Sequence, residues 1–93
     1  ISDAVPEEFS LSQNYPNPFN PNTNLEFGIS KPGFVSLKVY DALGKEIRTL
    51  VNEIKPAGTY KVDFDARRLP SGVYYYRLEA GSDVFTKKML LIK

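Results

Sequence analysis

Apolar residues in this chain recur at every second position, in short bursts separated by glycine and proline. In residues 25–29, Leu25, Phe27 and Ile29 alternate with Glu26 and Gly28; in residues 35–40, Val35, Leu37 and Val39 alternate with Ser36, Lys38 and Tyr40. Tyr60, Val62 and Phe64 alternate in the same way with Lys61, Asp63 and Asp65. A period of two puts successive side chains on opposite faces of an extended backbone, so each burst predicts a half-buried strand. The β-branched and aromatic run VYYYRLEA, residues 73–80, predicts another. There Arg77 and Glu79 belong in water, which turns Tyr74, Tyr76 and Leu78 inward. Gly81-Ser82 fits a two-residue hairpin with glycine first, leading into a last strand over residues 84–92. A short strand is expected around residues 9–11. KPG, DALG, PAG and PSG punctuate the rest as turns; in DALG, Asp41 can bond nearby amides and Gly44 can take positive φ.

One stretch breaks the rhythm. Leu43, Ile47, Leu50, Val51 and Ile54 recur at three- and four-residue steps, which reads locally as an amphipathic helix at least as well as a strand. Taken as a strand, it completes seven, about ten residues apart, the rhythm of a β-sandwich. Taken as a helix, it leaves six strands and an awkward crossover. The even spacing favours the strand, and the expected fold is an all-β, seven-stranded, immunoglobulin-like antiparallel β-sandwich.

The segment NYPNPFNP, residues 14–21, belongs to neither pattern. Each proline fixes its own φ, removes a ladder donor and pushes the residue before it towards extended or turn conformations. The segment therefore reads as a rigid crossing between the first two strands. Its asparagines would satisfy loop backbone groups, and Tyr15 and Phe19 would anchor it in the core. The rival reading is a polyproline II ligand for a partner's aromatic groove.

Ninety-three residues make one domain with one modest core, expected to bury roughly 60–65% of its unfolded surface. An aromatic share of 13% argues against disorder. Twelve basic and eleven acidic side chains give a formal +1, with no polycationic footprint for nucleic acid. No apolar run approaches the roughly 18–20 residues that cross a bilayer, so no membrane insertion is expected. The opening ISDAVPEEF lacks the basic and apolar order of a signal peptide. Residues 1–8 read instead as the end of a polar linker from a preceding domain, with the sandwich at 9–93.

Chemistry has few candidates. Without histidine or cysteine, the chain offers no imidazole or thiolate for zinc or for nucleophilic catalysis. Asp63 and Asp65 share a strand face and could serve as an acid–base pair or calcium ligands, but a solvated outer face is the simpler account. PAGTY and PSGVY are not phosphate loops, because no lysine-threonine pair and no helix start follows them. Tyr75, if exposed, could stack on a sugar. No catalytic, cofactor-binding or metal-binding residue is expected. The closing TKKMLLIK is either a strand whose lysines blunt a sheet edge or a terminal signal reachable by strand addition or charge contact.

Five separated motifs, QNYPNPFNP, VSLKVYDALGKEIRTLV, PAGTYKVDFDA, LPSGVYYYRLEAG and TKKMLLIK, occur here in an order and spacing that resembles the type A C-terminal sorting domain of the type IX secretion system. The resemblance covers residues 9–93. The pattern is also similar to the immunoglobulin-like domain of the flagellar hook-capping protein, which implies a seven-stranded sandwich with a strand over residues 46–52. It lacks the cysteine pair and tryptophan of antibody domains.

The resemblance implies a non-catalytic delivery label on a cargo protein of the Bacteroidota and related bacteria. The cargo would cross the periplasm, and the folded domain, a monomer, would be recognised at the outer-membrane translocon. A cell-surface sortase would then remove the domain while attaching the cargo to anionic lipopolysaccharide, with a cut within or upstream of residues 1–8. The family's motifs carry over onto Gly72, Val73, Tyr74 and Arg77, and onto Lys87, Lys88 and Lys93, as the expected recognition surface. Arg67 and Arg68 stand where relatives often have small residues, making that turn more basic, and residues 17–24 are richer in asparagine than usual. The alternative function is an accessory immunoglobulin-like module, a spacer or a carbohydrate-binding domain of a secreted enzyme.

Overall fold

The computed structural model describes residues 6–93, so most of the linker expected at residues 1–8 lies outside the described residues. Seven strands follow one another: β1 (Ser10–Leu11), β2 (Asn22–Ile29), β3 (Gly33–Tyr40), β4 (Glu46–Lys55), β5 (Gly58–Asp65), β6 (Gly72–Ala80) and β7 (Asp83–Leu91). They form two antiparallel sheets, of order β1-β2-β5 and β4-β3-β6-β7. This is the expected sandwich.

The alternation works as a two-sided code. Leu25, Phe27 and Ile29 face Val35, Leu37, Val39, Tyr76 and Leu78 across the interior, all essentially without solvent contact. Met89 and Leu91 of β7, Phe64 and Ala66 complete the core. Tyr60 and Val62 point the same way as Phe64 but lie at the margin, half-buried. Among the described residues, β3–β4 and β6–β7 are the pairs of consecutive strands joined within a sheet by a short turn, whereas β1 and β2 pair across the long asparagine–proline segment. In the first, the Asp41 carboxylate accepts the Leu43 and Lys45 amides at 2.9 Å, and Gly44 has φ +89°. In the second, Gly81 takes φ +60°, which matches the strand twist at the first position of a tight turn.

β4 is a strand, and its register explains why it imitates a helix. Leu37 pairs with Val51 but Lys38 with Thr49, and Val39 pairs with Arg48 but Tyr40 with Glu46. Leu50 and Ile47 are thus extra residues, two bulges that each reset which face the following side chains use. Ile47, Leu50 and Val51 reach the core at irregular steps. The ends of the apparent stripe do not: Leu43 is 94% exposed and Ile54 76%.

The asparagine–proline segment anchors through Phe19, which is 1% exposed, but Tyr15 is 79% exposed and is no anchor. The reason is register. Tyr15 and Asn24 exchange backbone hydrogen bonds of 3.1 and 2.9 Å, which extends the β1–β2 pairing and leaves Tyr15 on the outer side with Asn24. Its neighbour turns inward instead. The Asn14 amide, 2% exposed, donates to Thr23 Oγ1 at 3.0 Å and to the Pro16 carbonyl at 3.1 Å, while its oxygen accepts from Gln13 at 2.7 Å. From there the chain leaves the first sheet and reaches the edge of β7. The Leu90 amide donates to Asn17 Oδ1, the Phe19 amide to the Leu90 carbonyl, and the Ile92 amide to the Phe19 carbonyl, each at 3.0 Å. Gln13 Nε2 adds a bond to the Lys88 carbonyl at 2.8 Å. A chain unable to form a regular ladder is thus useful here as a strap: it closes the C-terminal half of an open sheet edge.

Candidate functional site

PAGTY and PSGVY prove to be one device used twice. Both stand where the chain changes sheets, from β4 to β5 and from β5 to β6. Gly58 and Gly72 take φ of +155° and +150°, a region open essentially to glycine alone. Two residues later the tyrosine hydroxyl donates back to the proline carbonyl: Tyr60 to Pro56 at 2.5 Å and Tyr74 to Pro70 at 2.6 Å. The bond ties each new strand to the corner it came from, as in the tyrosine corner of immunoglobulin-like domains. Burial raises the Tyr74 hydroxyl pKa, with a smaller contribution from the Asp41 charge. Tyr76, one pleat on, donates to the Ser12 carbonyl at 2.7 Å and so links β6 to the start of the strap. Burial pushes its pKa up to about 12.

The candidate recognition residues fall into three places. Gly72 and Tyr74 build the corner, with the Tyr74 ring in the core. Val73, Arg77 and Lys88 share the outer face of the four-stranded sheet, where Val73 pairs with Leu90 and Tyr75 with Lys88. Lys87 pairs with Tyr76 and so lies on the opposite, inner face at the sheet margin. Lys93 joins the corner: its amide donates to Ser71 Oγ at 3.1 Å and its Nζ to the Arg67 carbonyl at 2.5 Å. Arg77 lies over the Tyr40 ring at 5.0 Å and meets Glu79 at 3.4 Å. Its Nε is buried without a hydrogen-bond partner. The structure therefore brings Gly72, Val73 and Lys93 to one end of the sandwich, with Lys88 close by, and separates Lys87 from Lys88.

Asp63 and Asp65 are exposed on the outer face of the three-stranded sheet, and Asp65 is engaged by Arg67, with an ion pair of 2.9 Å and an amide bond of 3.0 Å. Among the described residues, no group of three carboxylates gathers to hold a metal ion. No described helix is long and apolar enough to cross a membrane.

The family model of the secretion system C-terminal sorting domain matches residues 13–93. The chain belongs to this type IX sorting family. No curated protein gives a significant match. Family membership brings with it an attached cargo, engagement of the type IX machinery and export towards the cell surface or the medium. Such sorting domains are in general non-catalytic.

Sequence reasoning missed three surface residues of this sorting domain. Leu43, on the β3–β4 turn, stands beside Ser71, Gly72 and Val73 around an open cleft of about 230 Å³. Leu90 and Ile92 continue from Val73 along the outer face, both exposed. Alternation along β7 did carry a signal, since Lys88, Leu90 and Ile92 share a parity opposite to Met89 and Leu91. Leu43 carried none, because it looked like the start of a helical stripe.

Proposed function

We propose that residues 9–93 are the delivery label itself: folded, they are recognised at the outer-membrane translocon, direct the attached cargo to the cell surface, and are removed there by a sortase. The cut falls within or upstream of residues 1–8. On this reading the domain is a substrate of the machinery and does no chemistry of its own. Gly72, Val73, Tyr74, Arg77, Lys87, Lys88 and Lys93 act in recognition, Gly72 and Tyr74 by fixing the corner that presents Val73. The observation that carries the reading is the family match over residues 13–93, on a fold whose terminal strand is strapped into the sandwich along one edge. A recogniser therefore meets a structured surface at this end of the chain, since peeling β7 away would break both the strap and the β6 ladder.

The test is a fusion of residues 1–93 to a folded reporter carrying a periplasmic signal, expressed in a type IX-competent host and in an otherwise identical translocon-null strain. Display only in the competent strain is the expected result, and sequencing the reporter terminus locates the cut. Periplasmic retention in both strains, with the domain folded, overturns the reading and leaves an accessory module.

A further inference from the structure

Leu43 is a large aliphatic side chain, 94% exposed, on a turn held rigid by two bonds to Asp41. A solvated turn does not need leucine there. Across the adjacent cleft stands Val73, whose cross-strand partner is Leu90, followed on the same face by Ile92. These four residues make an apolar strip at the end of the four-stranded sheet, and an exposed strip with a polar rim is a mark of an interaction site.

The rim is predominantly basic. Lys45, Arg67, Arg68, Lys88 and Lys93 lie on the elements that frame the strip, against two carboxylates, Asp41 and Asp65. Asp41 is occupied by its own turn and Asp65 by Arg67. Glu46, the next anion along, pairs with Lys38 at 3.5 Å. Among the described residues, none of Lys45, Arg68, Lys88 and Lys93 makes an ion pair. This end thus carries three more cations than anions, whereas the whole chain carries one.

We propose that the Leu43–Val73–Leu90–Ile92 strip is the docking surface for a protein segment that carries an apolar side chain flanked by carboxylates. The apolar side chain enters the cleft between Leu43 and Val73, and the carboxylates meet Arg68, Lys88 and Lys45. The charge asymmetry selects an acidic partner. The cleft of about 230 Å³ beside Leu43 and Val73 has room for a single side chain, which favours a protein segment over a flat lipid surface. The inference deepens the sorting function and rests on it: the acidic segment belongs to the export machinery.

The reporter fusion of residues 1–93 tests it. Leu43→Asp combined with Leu90→Ser should lower translocon-dependent display at least tenfold with unchanged circular dichroism and melting, while Leu43→Met keeps display. Arg68→Glu with Lys88→Glu should lower display as much, and Lys31→Glu with Lys61→Glu, an equal charge change elsewhere, should not. Display of the Leu43/Leu90 variant at the unaltered level overturns the docking surface while leaving the sorting function standing. Equal loss in both charge-reversal pairs overturns the complementarity. Strip-dependent sedimentation of the purified domain with vesicles of one part phosphatidylglycerol to three parts phosphatidylcholine assigns the strip to lipid, and overturns the proposal. Retention of the unaltered chain in both strains overturns the sorting function and this inference together.

Discussion

Phe19→Ala set against Tyr15→Ala separates the strap's anchor from its decoration. The Phe19 ring lies in the core with its centroid 6.1 Å from that of Phe64 and 1% of its surface exposed. Truncating a buried phenylalanine costs about 3–5 kcal/mol through lost transfer energy and the cavity left behind. A domain of this size is stable by roughly 5–15 kcal/mol, so a loss of about 4 is a large part of the total. At about 4–8 °C per kcal/mol, the melting temperature should fall by roughly 15–30 °C. Tyr15 is 79% exposed, and its alanine variant should stay within about 0.5 kcal/mol of the parent. Urea unfolding followed by far-UV circular dichroism measures both. Hydrogen exchange adds a local reading, because the Leu90 and Ile92 amides are held by Asn17 and Phe19. Their exchange should rise more in Phe19→Ala than that of amides in the β3–β6 ladder. Equal destabilisation by the two substitutions, or a loss below about 1 kcal/mol for Phe19→Ala, would refute the account of the strap.

Tyr76 should make the fold sensitive to alkali. Its folded pKa of about 12 lies above the ordinary 10.0, so its contribution is complete below pH 10 and is lost as pH rises towards 12. The loss is on the order of 2 kcal/mol, and Tyr76→Phe should flatten that part of the stability–pH curve; an unchanged slope contradicts the burial argument. Gly72→Ala should cost about 1–3 kcal/mol purely through φ, since no atom lies within 4 Å of the added carbon. Gly33→Ala, with equally open space and no positive φ, should be neutral within about 1 kcal/mol, and thermal melts distinguish the two. Replacing Lys87, Lys88 and Lys93 together by alanine should leave the fold intact and block display of the reporter; display at the parental level removes these lysines from recognition.

The strands were legible because their cause is local. Period-two alternation reports a pleated backbone with one wet face, and in residues 25–29, 35–39 and 74–78 it named the buried side chains correctly. Turn chemistry was local as well: Asp41, Gly44 and Gly81 act within four residues of themselves. Bulges broke the same logic in β4, where two inserted residues converted a strand period into an apparent helical one. Even spacing of the turns, a property of the whole chain, still favoured the strand.

What the sequence by itself determined was the number of strands, the inward faces of the regularly alternating ones, the absence of imidazole and thiolate chemistry, and the family. The Gly81-Ser82 hairpin was legible locally, but for KPG, DALG, PAG and PSG tertiary structure alone decided which turns are hairpins and which cross between sheets, because PSG and DALG differ little as local signals. It decided that Tyr15 faces water while Phe19 is buried, since the Tyr15–Asn24 register sets one and the β7 edge captures the other. It also gathered Leu43, Val73, Leu90 and Ile92 at one end of the sheet. Those residues span half the chain, and only the pairing of β6 with β7, and of β3 with both its neighbours, makes them adjacent.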